Sequence, residues 1–498
     1  MSHPLPIYPA AGIREIERAV PIGPDSPSLM ERAGLACAEL ARTLATDPRP
    51  ILVLAGPGNN GGDALVAARW LKQWFYRVEV VSRADEARLP PDAATALAAW
   101  RAVGGSCQPD LPEKRDWGLV IDGLFGIGLT RPLDAPYADW VQRVNALAVP
   151  ILALDVPSGL DADTGCSHGV AIRAQHTVTF LALKPGLLTA NGPDHCGQLH
   201  LRTLDVLAPM YHPASGWLLD EHLVRGLLPP RPLNSHKGLF GSVGILGGAA
   251  GMTGAALLAG RAALHVGAGR VYLGLLDDDA PAVDPLQPEL MLRPAGHLLD
   301  APHLNVLVAG PGLGRSAAAV GYLQHVLAAD APLVLDADAL NLIAASDALK
   351  ARIAQRKAPT LMTPHPAEAA RLVGASIGDV LCQRVEIASL IAVRFNAFVA
   401  LKGVGTVCAM PNATWFINAS GNPGLASPGT GDVLAGILGA LLAQGLSPRD
   451  ALLLGVYLHG AAADRLRERG IGPVGMTASE VIGAARDLLN EWVYGLSR

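Results

Sequence analysis

Aromatic residues make up only 5% of the 498-residue chain and charged residues only 17%. Lysine and arginine are scattered among nearly balanced acids, for a formal net charge of −5. A chain without a basic cluster has no face that tracks a phosphate backbone, so nucleic acid is not an expected partner. Cysteine is sparse: the six, at positions 37, 107, 166, 196, 382 and 408, include no CxxC pair. Neither a disulfide framework nor a zinc site is indicated, which fits a reducing compartment. Apolar runs such as Val433 to Ala443 fall short of the roughly 20 residues that cross a bilayer, so no membrane partner is expected. The first 20 residues lack a basic segment leading into an apolar core. Export is therefore not supported, and a cytoplasmic protein is expected. There is no GxxxxGK[ST] anywhere, which excludes a P-loop nucleotide site.

What is abundant is apolar residues, half of the chain, with 55 glycines and 39 prolines. This is the signature of α/β layers joined by small-residue turns. The length favours two or three domains over one. Apolar runs ILVLAG at 51, RVEVVS at 77, WGLVID at 117, PILALD at 150 and HTVTFL at 176 alternate with helical patterns, predicting a doubly wound parallel sheet. A second series comprises SVGILGG at 242, GRVYLGL at 269, NVLVAGPG at 305, PLVLDAD at 332, PTLMTPH at 359 and AFVALKG at 397. It predicts a second α/β domain. The stretch from Met210 to Gly238 reads as a linker and a leading helix, placing the boundary near Gly216 and the domains at 1–215 and 216–498.

GPGNNG at 56 satisfies the GxGxxG fingerprint, which would suggest a dinucleotide-binding dehydrogenase. Two features oppose that reading: Asp63 follows closely where pyrophosphate would dock, and RVEVVS ends without the acid that holds a ribose hydroxyl. The loop instead offers the amides of Asn59 and Asn60 and the carboxyl of Asp63. Two further strands end in Asp122 and Asp155, at the sheet edge where open α/β folds bind ligands. Taken singly, each is equally well an N-cap or a tight turn; three on neighbouring strand ends point to one crevice.

MERAG at 30, PGNNGGD at 57, IDGLFGIGLTRP at 121, LDVPSGLDADTG at 154 and LALKPGL at 181 closely resemble NAD(P)H-hydrate epimerase domains with a Rossmann-like fold. The resemblance implies that Asn59, Asn60, Gly61, Gly62 and Asp63, with Gly126, Ile127, Gly128, Leu129, Thr130, Arg131 and Pro132, hold the hydrate. It implies that Asp155 acts on the nicotinamide ring, and that Asn60, Asp122 and Ser158 bind potassium, a hard cation suited to oxygen donors. Epimerisation needs proton transfer, for which Asp155 and Lys184 are the candidates. Ala64 stands where the family commonly has glycine; its methyl is expected to stiffen the loop or crowd a ligand.

In the second half, PGTGDVLAGILGALL at 428 puts a glycine-rich turn before an apolar helix, an anion hole with Asp432 at its mouth as a candidate base. KGVGT at 402 follows a strand and suits a nucleotide. By itself the GTGD motif resembles ribokinase-like kinases, leaving open a small-molecule kinase with an N-terminal ligand- or partner-binding domain. HKGLFGSVGILGG at 236, DPLQPELML at 284, AGPGLG at 309, VLDADALNL at 334, TPHPAE at 363, LKGVGT at 401 and NPGLASPGTGDVLAGI at 422 closely resemble ADP-dependent NAD(P)H-hydrate dehydratases. The resemblance implies hydrate contacts at Ala255, Gly314, His365 and Asp432, and nucleotide contacts at Lys402, Gly403, Val404, Gly405, Thr406 and Gly431. It also implies ADP with Mg2+, NADHX and NADPHX as substrates, and a homo-oligomer is expected.

Overall fold

A computed structural model describes residues 4–21, 23, 26–113, 116–301 and 303–495. The chain forms two compact units, Leu5–Trp217 and the segment from Leu218 onward.

The first unit is built on a seven-stranded, wholly parallel sheet. Its spatial order is Cys107–Gln108, Val78–Val81, Ile51–Ala55, Leu119–Gly123, Ile151–Leu154, His176–Phe180 and Gln198–Arg202. The central strands are buried at every residue, as a sheet covered by helices on both faces demands. Chain order reverses between Ile51–Ala55 and Leu119–Gly123, which makes their carboxyl ends a topological switch point. The helix Leu29–Leu44 packs on the helix Asn59–Gln73 through small residues, including Ala33, Gly34, Ala64 and Ala67. Gly34 permits the close approach: a methyl there would lie 2.4 Å from the Val66 side chain.

In the second unit the strands lie in the order Trp415–Asn418, Thr406–Ala409, Phe398–Leu401, Thr360–Met362, Leu333–Leu335, Val306–Ala309, Ser242–Gly247, Arg270–Leu275 and Met291–Pro294. All pair in parallel except the antiparallel meander formed by the first three. The helix Thr430–Ala443 is apolar on every side and almost wholly buried, between the sheet and the helices Thr253–His265 and Pro448–Glu468.

The apolar runs that predicted strands are strands in both units. The runs that escaped are short or polar: Cys107–Gln108, Gln198–Arg202, Met291–Pro294 and the Thr406–Asn418 hairpin. Gly216–Leu219, read as linker, is also a strand; Pro6 and Ile7 pair antiparallel with Trp217 and Gly216. No helix among the described residues is long and apolar enough to cross a membrane.

One contact sets how deeply the Asp432 helix can sit. A methyl on Gly436 would meet the Ala259 carbonyl oxygen at 2.0 Å, and backbone cannot yield as a side chain does. Gly436→Ala is therefore expected to destabilise the second unit by about 1–3 kcal/mol, as overpacking does, read as a lower midpoint in thermal or urea unfolding.

Candidate active sites

At the switch point of the first unit, the turn after Ile51–Ala55 delivers Asn60, and the strands Leu119–Gly123 and Ile151–Leu154 deliver Asp122 and Asp155. Asp155 has φ 63°, a left-handed conformation costly for a residue with a Cβ, and it ends its strand abruptly. Its carboxylate is clamped: Lys184 Nζ donates to Oδ1 at 2.5 Å and the Ile127 N–H donates to Oδ2 at 3.3 Å. Lys184 is wholly buried and also donates to Thr179 Oγ1 at 2.8 Å and the Phe180 carbonyl at 2.9 Å, which uses all three ammonium hydrogens. A lone lysine is ordinarily a solvated surface charge, and this one is an internal counter-ion.

Below it lies a nest of oxygen atoms. Asp122 is fully buried and receives the Ser158 hydroxyl at 2.7 Å, the Ser158 N–H at 2.8 Å and the Leu124 N–H at 3.2 Å. Burial nonetheless pushes its carboxyl up to about 6, against those hydrogen bonds. Asn60 donates through Nδ2 to the Leu154 carbonyl at 3.3 Å, while its buried Oδ1 has no partner. An orphaned amide oxygen beside a buried carboxylate, a hydroxyl and the Phe125 carbonyl, which lies 3.2 Å from Ser158 Oγ, is a donor set that fits a hard monovalent cation. Asp63 faces the same crevice; burial, with Asp155, Glu17 and Asp92 adding, holds its carboxyl well above the usual range.

Gly126 crosses closely over the crevice: a methyl there would sit 3.0 Å from Asp155 Oδ2 and 3.3 Å from Asn60 Cγ. Ile127 follows, and Leu129 is buried, whereas Gly128, Thr130, Arg131 and Pro132 are exposed, Arg131 lying 3.6 Å from Asp134. Asn59 is exposed at the first helical position. Gly61 and Gly62 are buried, and methyl groups there would strike the Gly56 carbonyl and the Met30 side chain. The closure of the turn accounts for Gly61, and helix packing for Gly62. The Ala64 methyl points at Gly123, whose own methyl would lie 2.5 Å away. It fills the helix–strand interface, which corrects the expectation that it crowds a ligand.

In the second unit, a cleft of about 390 Å³ is lined by Gly251, Met252, Gly254, Ala255, Gly312, Ala337, Asp338, Asn341, Glu368 and Asp432. Gly429 at φ 88° turns the chain into the Thr430–Ala443 helix, and no side chain caps that helix. Its first N–H groups are therefore available to an anion. Lys402 Nζ donates to Asp336 Oδ1 at 2.6 Å, and a methyl on Gly431 would lie 3.2 Å from the same ammonium. Burial disfavours the charged lysine, but Asp336, Glu368 and Asp432 outweigh it and hold its pKa above the ordinary value. Asp432 is pushed up to about 7 by burial, with Asp336 and Asp338 adding, and Glu368 to about 7 by burial against Lys402. A cleft so rich in carboxyl groups at the mouth of an anion hole suits a nucleotide that brings its own divalent cation.

The turn Lys402–Thr406 is held from behind by Arg384, buried, whose Nη2 donates to the carbonyls of Leu401 at 3.0 Å and Lys402 at 3.2 Å. Thr406 Oγ1 closes the turn on the Gly403 carbonyl at 3.0 Å, leaving Val404 exposed. Gly314 donates to Asp338 Oδ2 at 3.0 Å. His365 caps the helix Pro366–Val373, accepting the Ala367 N–H at 3.1 Å, and its Nε2 lies 3.3 Å from Glu368. Burial and the nearby Lys402 lower its pKa. Sequence reasoning passed over Asp336, Asp338, Asn341, Glu368 and Arg384. Asp336 carries the same strand-end signal that singled out Asp122 and Asp155; Arg384 has no signal, because nothing local marks a buried arginine.

Two α/β units, each gathering charged side chains at the carboxyl ends of its strands, define a two-site enzyme with a Rossmann-like and a ribokinase-like half. Residues 243–485 match the NAD(P)H-hydrate dehydratase family, and residues 26–186 match the family described as YjeF-related protein N-terminus. The bifunctional NAD(P)H-hydrate repair enzyme Nnr of Escherichia coli K12 is 39% identical, over 98% of this chain and 95% of its own. That of Coxiella burnetii is 37% identical over 97% and 99%. Among solved structures, the ADP/ATP-dependent NAD(P)H-hydrate dehydratase of Bacillus subtilis, co-crystallised with ATP and Mg2+, is 31% identical, with a TM-score of 0.50. That match covers 55% of this chain and 98% of the other. The chain belongs to the bifunctional NAD(P)H-hydrate repair enzymes, which join an epimerase and a dehydratase in one polypeptide.

The Lys184–Asp155 pair makes a stability prediction. Lys184→Met leaves the Asp155 carboxylate without its internal counter-ion and is expected to cost the first unit about 3–5 kcal/mol in urea unfolding. Adding Asp155→Asn should recover most of that loss, since the unpaired charge goes with it.

Proposed function

We propose that the first unit interconverts the R and S epimers of NADHX and NADPHX, and that the second dehydrates the S epimer at the expense of ADP, giving AMP and phosphate. The observation that carries the reading is Asp432, a half-buried carboxyl in the first turn of an uncapped helix, facing Lys402 and Asp336 across one cleft. Asp432 accepts the proton of the ring hydroxyl as that oxygen takes the terminal phosphoryl group of ADP. The N–H groups of Gly431 and Asp432 and the Lys402 ammonium receive the charge on the phosphoryl oxygens. The phosphate then leaves with the ring oxygen, a proton is lost from the adjacent ring carbon, and the dihydronicotinamide double bond is restored. The turn Lys402–Thr406 with Gly431 holds the nucleotide, and Ala255, Gly314 and His365 border the hydrate. Mg2+ on the phosphates would neutralise charge that Asp338, Glu368 and Asp432 otherwise oppose.

In the first unit Asp155 moves the proton at the reacting ring carbon, and Lys184, its hydrogens all engaged, positions that carboxylate. The segments Asn59–Asp63 and Gly126–Pro132 hold the hydrate. Potassium would be held by Asn60 Oδ1, Asp122 and Ser158, and would supply fixed positive charge that ties the Gly126 turn to the crevice. A cytoplasmic homo-oligomer completes the reading.

The test is to give the purified chain an epimer mixture of NADHX with ADP, Mg2+ and K+, following NADH absorbance and the residual epimers by chromatography. Complete recovery of NADH faster than spontaneous epimerisation is expected, and replacing K+ by Li+ should slow consumption of the R epimer alone. Accumulation of a stable phosphorylated product would point instead to a small-molecule kinase.

The raised Asp432 pKa fixes a pH profile. The base must be deprotonated to act, so dehydratase kcat/KM should rise with pH through about 7 and then level off. Asp432→Asn should remove the dehydration and leave epimer interconversion intact.

A further inference from the structure

The helix Ala10–Ala19 borders the crevice of the first unit, and the chemistry above uses none of its side chains. Its inner face is apolar, with Ile13 and Ile16 buried. The chain leading into it is tied down at three points. The Tyr8 N–H donates to the Leu183 carbonyl at 3.0 Å, one residue before Lys184, and the Tyr8 hydroxyl donates to the His212 carbonyl at 2.9 Å. Asp163, from the stretch LDVPSGLDADTG, accepts the Ala10 N–H through Oδ1 at 2.6 Å. A helix fixed in this way presents its outer residues at set positions.

Arg14 is the residue set over the site. Its Nη2 donates to the Ile127 carbonyl at 3.3 Å, and a methyl on Gly128 would lie 3.8 Å from the same nitrogen. The N–H of that same Ile127 is the donor that clamps Asp155 Oδ2. The guanidinium thus stands at the rim of the crevice, above a glycine that leaves the turn bare. It is exposed, and no carboxylate among the described residues lies within ion-pair distance of it; Glu15 beside it is spent on His212 at 3.0 Å. A guanidinium offers a fork of N–H donors, and the Ile127 carbonyl takes one of them. The other cation of the turn, Arg131, shares its charge with Asp134 at 3.6 Å. Deeper in, Lys184 is saturated and its neighbours Asp63, Asp122 and Asp155 are acids. NADHX joins its hydrated ring to adenosine through a pyrophosphate, so a ring seated at Asp155 must carry that anion across the rim.

We propose that Arg14 is the residue by which the epimerase site recognises the pyrophosphate of NADHX and NADPHX, its free N–H groups taking phosphate oxygens while Ile127 holds the guanidinium beside the Gly126 turn. The planar fork matches phosphate oxygens in geometry as well as in charge. The inference rests on the first unit being the epimerase and assigns the part of the substrate remote from the reacting carbon. A contact of that kind is made equally in the ground state and the transition state, so its loss appears in KM and leaves kcat alone.

The test measures epimer interconversion by the full chain without ADP, which keeps the second unit silent, starting from one purified epimer of NADHX and following the other by chromatography. Arg14→Ala is expected to raise KM for NADHX by about 10- to 100-fold, with kcat within about threefold. Arg14→Lys should recover part of the loss, because an ammonium keeps the charge and lacks the fork. The hydrate of reduced nicotinamide riboside has the ring and no phosphate, and it separates recognition from scaffolding. In single turnovers with enzyme in excess, wild type and Arg14→Ala should epimerise it at the same rate. The inference is overturned if Arg14→Ala keeps the wild-type KM for NADHX, or if it slows both substrates by the same factor, as a slackened Ile127 turn would. A wild type that speeds epimerisation of neither substrate would instead sink the epimerase reading itself, and this inference with it, which keeps the two failures apart.

Discussion

An ammonium facing a strand-end carboxylate, fully buried in one half and partly buried in the other, organises each half of this enzyme. In the first unit it is Lys184 on Asp155, in the second Lys402 on Asp336. Both aspartates lie where a parallel strand stops, and both stops involve a non-glycine residue in the left-handed region, Asp155 itself and Ala337 after Asp336. A sheet covered on both faces can admit charge only at its ends, and a charge admitted there must bring its partner. The remaining polar groups are arranged around these two pairs.

The halves use the same device to different ends. Lys184 is saturated by three oxygen acceptors and serves as a fixed counter-ion, leaving one side of Asp155 facing the crevice. Lys402 stands among more carboxyl groups than it can balance, and burial, with Asp336 adding, raises Asp432 and Glu368 towards neutrality. The first arrangement is complete without a highly charged ligand. In the proposed reaction the second unit also receives phosphates and a divalent cation beside Asp432, so nucleotide binding and the protonation of the base would be electrostatically linked.

Much of this was legible in the sequence, because strand-end carboxylates and glycine turns before helices are local features. Asp122, Asp155 and Asp432 stand out by position, and the apolar runs that contain them are strands or helices as their patterning predicts. Gly62 was legible as a glycine but not as a packing residue, since what its missing side chain avoids is set by Met30 on another helix. Lys184 and Arg384 show the same limit from the polar side. Their burial is decided by elements distant in sequence, and a single lysine or arginine carries no local mark of it. Asp336, directly after the strand Leu333–Leu335, is legible by the same strand-end position as Asp122 and Asp155.

The Ala64–Gly123 contact makes two positions share one volume. With alanine at 64, a methyl at 123 is blocked at 2.5 Å, and the Asn60 carbonyl crowds it at 2.9 Å as well; with glycine at 64, a methyl-sized space opens beside Gly123, one residue along the strand from Asp122. Substitutions there act as a pair whose effects do not add. The departure at 64 is thus a change in how tightly the Asn60 helix is seated on the strand bearing Asp122, and it tunes the rigidity of the crevice while leaving the groups that line it unchanged.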